Sequence, residues 1–281
     1  MPDSANTAAV QSPSRQLMAN TGWNQLVAGP VMLLASGDDP LSAAVVLPEQ
    51  TDSTLSVVEI FHLDSLSKLV VDLFGPGRTI GQSGLVVATQ QPGDGCIAWP
   101  VARLSGSVAK GWRVGFERGK AKPVPLDSIE GMSSGDSTTI TNELVRIASA
   151  ATASGDQSFQ GLPFTVQKAY RMSFGTISVL VGNIVRKINE EANPREERLL
   201  LVAERSESTR GSYVGSFQSR SAGTEDAVRT NGLLAALSFV QTNTPALVIS
   251  FGYDEGGQVA LLERVANHEW KITWKSAYTG C

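Results

Sequence analysis

Two histidines, His62 and His268, and two cysteines, Cys96 and Cys281, are all that this 281-residue chain offers of the side chains that most often ligate transition metals. Sites built from them need clustered spacings such as CxxC or HExxH, because neighbouring ligands must reach one ion from one turn or one helix face. Neither spacing occurs, so the sequence predicts no metal and no cofactor. A Ser-His-Asp arrangement could use either histidine, but there is no GxSxG elbow, and FHLDS from Phe61 to Ser65 reads as a strand running into a polar turn. Ser65 with Lys68 and Ser107 with Lys110 match Ser-x-x-Lys. The lysine of that motif must lie one helical turn from the serine, and neither stretch has helical periodicity. GFERGKA from Gly115 has the wrong glycine spacing for a phosphate loop and places Ala121 where a hydroxyl would hold the metal. YDEGG from Tyr253 reads as a hairpin turn rather than a calcium loop. Carboxylates remain, and these leave no motif when they converge only in three dimensions. A carboxylate-dependent hydrolase is therefore the enzymatic alternative.

One constellation survives. Arg103, Lys110, Arg113, Arg118, Lys120 and Lys122 lie within twenty residues that hold a single acid, Glu117, with Trp112 and Phe116 interleaved. The local field is positive, and the stretch reads either as a solvated strand pair whose even positions Trp112, Val114 and Phe116 go inward, or as a site for an anionic polymer or an acidic protein surface. No nucleic-acid-binding motif accompanies them, and the chain as a whole is mildly acidic, with 23 Lys and Arg against 27 Asp and Glu.

Cys281 follows the closing segment HEWKITWKSAYTG, and its one intrachain partner by type is Cys96. A bond between them would close a loop of about 185 residues and contribute at most about 5 kcal/mol in the chain-entropy picture. It would also imply an oxidising compartment, hence an extracytoplasmic or secreted protein; two unrelated free thiols and a cytoplasmic protein are the alternative. The opening 22 residues show no basic-then-apolar signal pattern, and no apolar run reaches the roughly 20 residues that span a bilayer.

These residues must be held by β-structure. Residues 1–22 are small and polar and read as a linker-like arm. Short apolar runs punctuated by SGDD, GPGR and PGDG follow at antiparallel spacing, giving a β-rich half over 23–132 and a second over 159–281. Between them, in 133–158, Ile140, Leu144, Ile147, Ala148 and Ala151 recur at helical spacing, with Asp136 and Ser137 as caps and Gly155 as a stop. The run from Ile177 to Ile188 also fits a helical stripe. Its β-branched content and central Gly182 favour a long strand buried on both faces, bulged near Gly182 and Asn183. NEEANPREER, 189–198, reads as a solvated loop. In the tail, period two sends Trp270, Ile272 and Trp274 to one face of a last hairpin with VALLER.

The expected architecture is mainly β, with antiparallel sheets in two halves separated by one substantial helix; a small β-propeller is the alternative. The expected function is a non-enzymatic structural or interaction protein of the cell envelope or exterior, engaging an anionic partner through the basic stretch. A β-barrel that holds a small ligand in its interior is a further alternative to the hydrolase.

Overall fold

The computed structural model describes residues 22–49, 66–86, 99–151, 157–189, 194–207, 211–224, 227–253 and 256–280. The fold is a stack of four layers: a small barrel, a central sheet, an outer sheet and one long helix.

The first layer closes six antiparallel strands, β1 (Met32–Ala35), β2 (Ser42–Val46), β3 (Val70–Gly75), β4 (Arg78–Val86), β5 (Val101–Leu104) and β6 (Val114–Glu117), in the order β1-β2-β5-β4-β3-β6. The predicted turns SGDD and GPGR join β1 to β2 and β3 to β4. Register and the two-residue period put Leu33, Val45, Val71, Leu73, Leu85 and Leu104 on the inner side, all nearly inaccessible. Gly115 lies among them because a Cβ there would stand 3.1 Å from Leu73 and 3.3 Å from Leu33. The barrel interior is thus occupied by side chains, as small barrels of this size require. A short helix α1 (Gln25–Ala28), capped by Asn24, precedes the barrel.

The central sheet runs β16 (Glu269–Lys275), β15 (Gly256–Ala266), β14 (Pro245–Tyr253), β13 (Thr230–Phe239), β7 (Ala121–Pro123), with β17 (Thr279–Gly280) beside β15. Both its faces are buried, which explains its nearly continuous apolar strands. Leu237, Phe239, Val248, Leu261 and Trp274 pack on the barrel. Leu233, Ala236, Leu247, Ile249, Leu262 and Trp270 pack on the outer sheet. The tryptophans of the tail are both core residues, but on opposite faces. Leu261 pairs with Trp274 and Leu262 with Ile272, so Thr273 is an extra residue that reverses the alternation. Trp274 then meets Trp23, with centroids 4.8 Å apart, and Trp23 stacks on Phe116.

The outer sheet orders β12 (Val214–Thr224), β11 (Arg195–Ser206), β10 (Ile177–Ile188), β9 (Thr165–Phe174) and β8 (Leu126–Ser128). The segment 177–188 is the strand its β-branched residues predict, with the register shift at Asn183 and Ile184. Val179 and Val181 face the central sheet, while Leu180 and Ile184 face helix α2 (Ser134–Ala150). That helix presents Ile140, Leu144, Ile147 and Ala148 to the sheet, and it covers a face of the outer sheet. Its N-cap is Ser133, whose hydroxyl accepts from the Asp136 N–H, so Asp136 and Ser137 lie inside the first turn and not at the cap. Gly155 lies outside the described residues. Strands β7 and β8, drawn from residues 121–128, form edges of the two later sheets. No described helix is long and apolar enough to cross a membrane.

The charged run at 189–198 departs most from expectation. Arg195 to Arg198 belong to β11, and Glu196 and Glu197 are buried. Glu197 is held between Arg186 and Arg220, the latter at 2.9 Å, and Glu196 between Lys187 and Arg198. Arg186 and Lys187 of β10 and Arg220 of β12, together with Arg198 of the run itself, let this acidic pair enter a sheet, and nothing local to the run reveals the three from the adjacent strands.

Candidate functional site

Strand β6 is buried on both faces, Gly115 toward the barrel interior and Phe116 toward the central sheet, and the turn after Glu117 carries Arg118 out to the surface. Trp112, Val114 and Phe116 are buried, the Trp112 indole donating to the Pro40 carbonyl at 2.8 Å, while Arg113 and Arg118 are exposed. The six cations do not form one patch. Arg113 and Arg118 flank the strand and are separated by about 17 Å at 3.3 Å per residue. Arg103, Lys110 and Arg113 belong to one end of the barrel: Ala35 N–H donates to the Arg113 carbonyl, Ser36 N–H to the Ser42 carbonyl, and Ser42 pairs with Arg103. There Arg103 approaches Asp39 at 3.8 Å, and Arg113 donates to the Leu233 carbonyl at 3.3 Å.

Arg118, Lys120 and Lys122 occupy the other end, on and after the tight turn between β6 and β7. Buried Asp72 fixes that turn by accepting from the Gly119 N–H at 2.8 Å. Three residues with exposed apolar side chains, distant in sequence, hydrogen-bond to this turn through their backbones. Arg118 N–H donates to the Val70 carbonyl at 2.9 Å, Val240 N–H donates to the Lys120 carbonyl at 2.9 Å, and the Lys120 ammonium donates to the Leu26 carbonyl at 3.0 Å. Leu26 is 63% exposed, Val240 46% and Val70 39%, so half of the six large apolar side chains exposed among the described residues belong to residues bonded to this turn. Lys68, two residues before Val70, is also exposed. The one nearby acid from the stretch, Glu117, lies 3.9 Å from Lys120. The arrangement is a cationic rim around exposed hydrocarbon. It can hold an anionic surface that also offers apolar contact. Sequence reasoning missed Leu26, Val70 and Val240 because single exposed aliphatics carry no periodic signal.

The carboxylates converge on arginines rather than on each other. Glu204, buried on β11, accepts from Arg264 at 2.9 and 3.0 Å, from the Trp270 indole at 3.0 Å and from the His268 backbone N–H. Burial alone would push its carboxyl up, but these donors outweigh it and hold it below the ordinary range. Glu196 follows the same logic: burial opposes ionisation, and Lys187 and Arg198 overcome it. Asp136 and Glu143 line a cleft of about 280 Å³ beside α2 with Arg171, Arg205 and Tyr213. Asp136 lies 4.0 Å from Arg171 and Glu143 lies 2.7 Å from Arg146. His268 occupies the β15–β16 turn with its Nδ1 3.5 Å from Glu204. Among the described residues, no three His, Cys, Asp or Glu side chains group as metal ligands. His62, Cys96 and Cys281 lie outside the described residues. Comparison with protein-family models, curated proteins and solved structures finds no match for this chain.

Proposed function

We propose that the chain is a non-enzymatic interaction protein of the cell envelope or exterior that engages an anionic partner through the face formed by Arg118, Lys120, Lys122 and Lys68. The observation that carries this reading is the gathering of Leu26, Val70 and Val240 around those cations through the hydrogen bonds of the 117–122 turn. Charge steers an anionic surface to the face, and the exposed hydrocarbon adds contact area once the surfaces meet. The exterior setting rests on the pairing expected for Cys96 and Cys281.

Heparin serves as a polyanionic probe. Wild type should bind it at about 50 mM salt and release it as screening shortens to a few ångströms near 1 M. Reversing Arg118, Lys120 and Lys122 to glutamate should weaken binding at least tenfold, mainly through the on-rate, and leave the melting temperature nearly unchanged. Reversing Arg103 and Lys110 at the other end should have a small effect. Equal losses from the two sets of reversals would reject this face as the site.

A further inference from the structure

At the opposite end of the barrel, the seam with the central sheet opens into a cavity of about 300 Å³. Leu34 of β1, Leu234 of β13, Val259 of β15 and the ring of Trp99 supply apolar wall, and Arg113 lines it too. The size lies at the small end of the range for ligand pockets, about 300–1,000 Å³.

The polar groups on this wall divide by whether their hydrogen bonds are already made. The Ser250 hydroxyl donates to the Gly232 carbonyl at 3.3 Å, and the Gln258 amide to the Ser276 carbonyl at 3.1 Å. One charged donor is left underused. The Arg113 guanidinium makes one long bond, to the neutral Leu233 carbonyl at 3.3 Å, and forms no ion pair among the described residues. Apolar walls with a charged donor at the edge suit a compact apolar body that ends in an anion, and a planar guanidinium suits a carboxylate.

We propose that this cavity binds a small apolar monocarboxylate, its carboxylate taken by the Arg113 guanidinium and its body between Leu34, Leu234 and Val259. The cavity admits an aryl or short alkyl chain and is too small for a full-length acyl chain. This site is independent of the basic face at the Arg118–Lys122 end.

The test titrates benzoate, 3-phenylpropanoate and octanoate, each beside its neutral amide, into the full chain, read by calorimetry and tryptophan fluorescence. At least one acid should bind ten times more tightly than its amide. Arg113→Gln should abolish that preference while leaving the amide's affinity within twofold, and Leu234→Phe, which fills the cavity, should weaken acid and amide alike. The variant with Arg118, Lys120 and Lys122 reversed should bind the acids as wild type does. The proposal is overturned if none of the acids binds at 1 mM, if acid and amide bind equally, or if Arg113→Gln keeps the preference. Loss of acid binding in the triple reversal would equally overturn it, by assigning the effect to general surface charge.

Discussion

Phe116 of the barrel meets Phe239 of the central sheet edge to face, with ring centroids 5.8 Å apart, and both side chains are fully buried. This contact joins a barrel made of early residues to a sheet made mostly of late ones, and Trp23 and Trp274 extend the same aromatic cluster. Core aromatics removed to alanine leave a cavity and cost about 3–5 kcal/mol. Phe239→Ala should therefore destabilise the barrel as well as the sheet that carries it. In urea, tryptophan fluorescence and far-UV circular dichroism should shift together to a lower midpoint in one transition. A barrel signal that stays at the wild-type midpoint would show that the barrel folds independently of the sheet.

Glu204 gives the fold an acid-sensitive bond set. Its carboxyl lies below the ordinary range because Arg264, the His268 N–H and the Trp270 indole overcome the effect of burial. The unfolded chain binds the proton more readily, with a reference value near 4.3. The resulting stability is complete above that value and is lost as pH falls through the folded value. Glu204→Gln should lower stability at pH 7 by about 1.5–3 kcal/mol, since hydrogen bonds to a charged group are lost. It should also flatten, though not abolish, the acid limb below about pH 4.3, because Glu196 contributes in the same sense. Parallel acid limbs for the two proteins would exclude Glu204 from the pH response.

The parts of this fold legible in the sequence are those whose cause is local. The β-branched run with Gly182 marked a bulged strand, and the Ile140–Leu144–Ile147 stripe marked the helix. Alternation at Trp112, Val114 and Phe116 marked one buried face of β6, but Gly115 shows that the other face is buried as well. What stayed hidden depends on partners far along the chain. Glu196 and Glu197 look like solvated charges until β10 and β12 supply Arg186, Lys187 and Arg220. Trp270 and Trp274 look like neighbours on one face until the pairing with β15 leaves Thr273 over. Of the candidate site, the cations were visible as a charge run. Their division between two ends of a barrel, and the aliphatics that collect at one end, are consequences of closure that no local pattern encodes.

Gly182 and Leu144 test the packing of the helix on the outer sheet. A Cβ at Gly182 would come within 2.8 Å of the Leu144 side chain, which is fully buried. Gly182→Ala should cost about 1–3 kcal/mol by overpacking. Leu144→Ala should cost about 2–5 kcal/mol by leaving a cavity. Together they should cost less than their sum, because the new methyl occupies part of the space that Leu144 vacates. Strict additivity in a double-mutant cycle would mean that the glycine serves the strand's backbone and not the helix contact.

The two cysteines lie outside the described residues, but their described neighbours share a location. Trp99 and Thr279 line the same cavity at the barrel seam. Cys96 precedes Trp99 by three residues and Cys281 follows Thr279 by two. Mass spectrometry of unreduced protein from its native source should find the Cys96 peptide joined to the Cys281 peptide. Reductant should then lower the melting temperature, with a loss of at most about 5 kcal/mol for a loop of about 185 residues. Recovery of two alkylatable thiols from the unreduced protein would remove both the staple and the argument it supplies for an oxidising compartment.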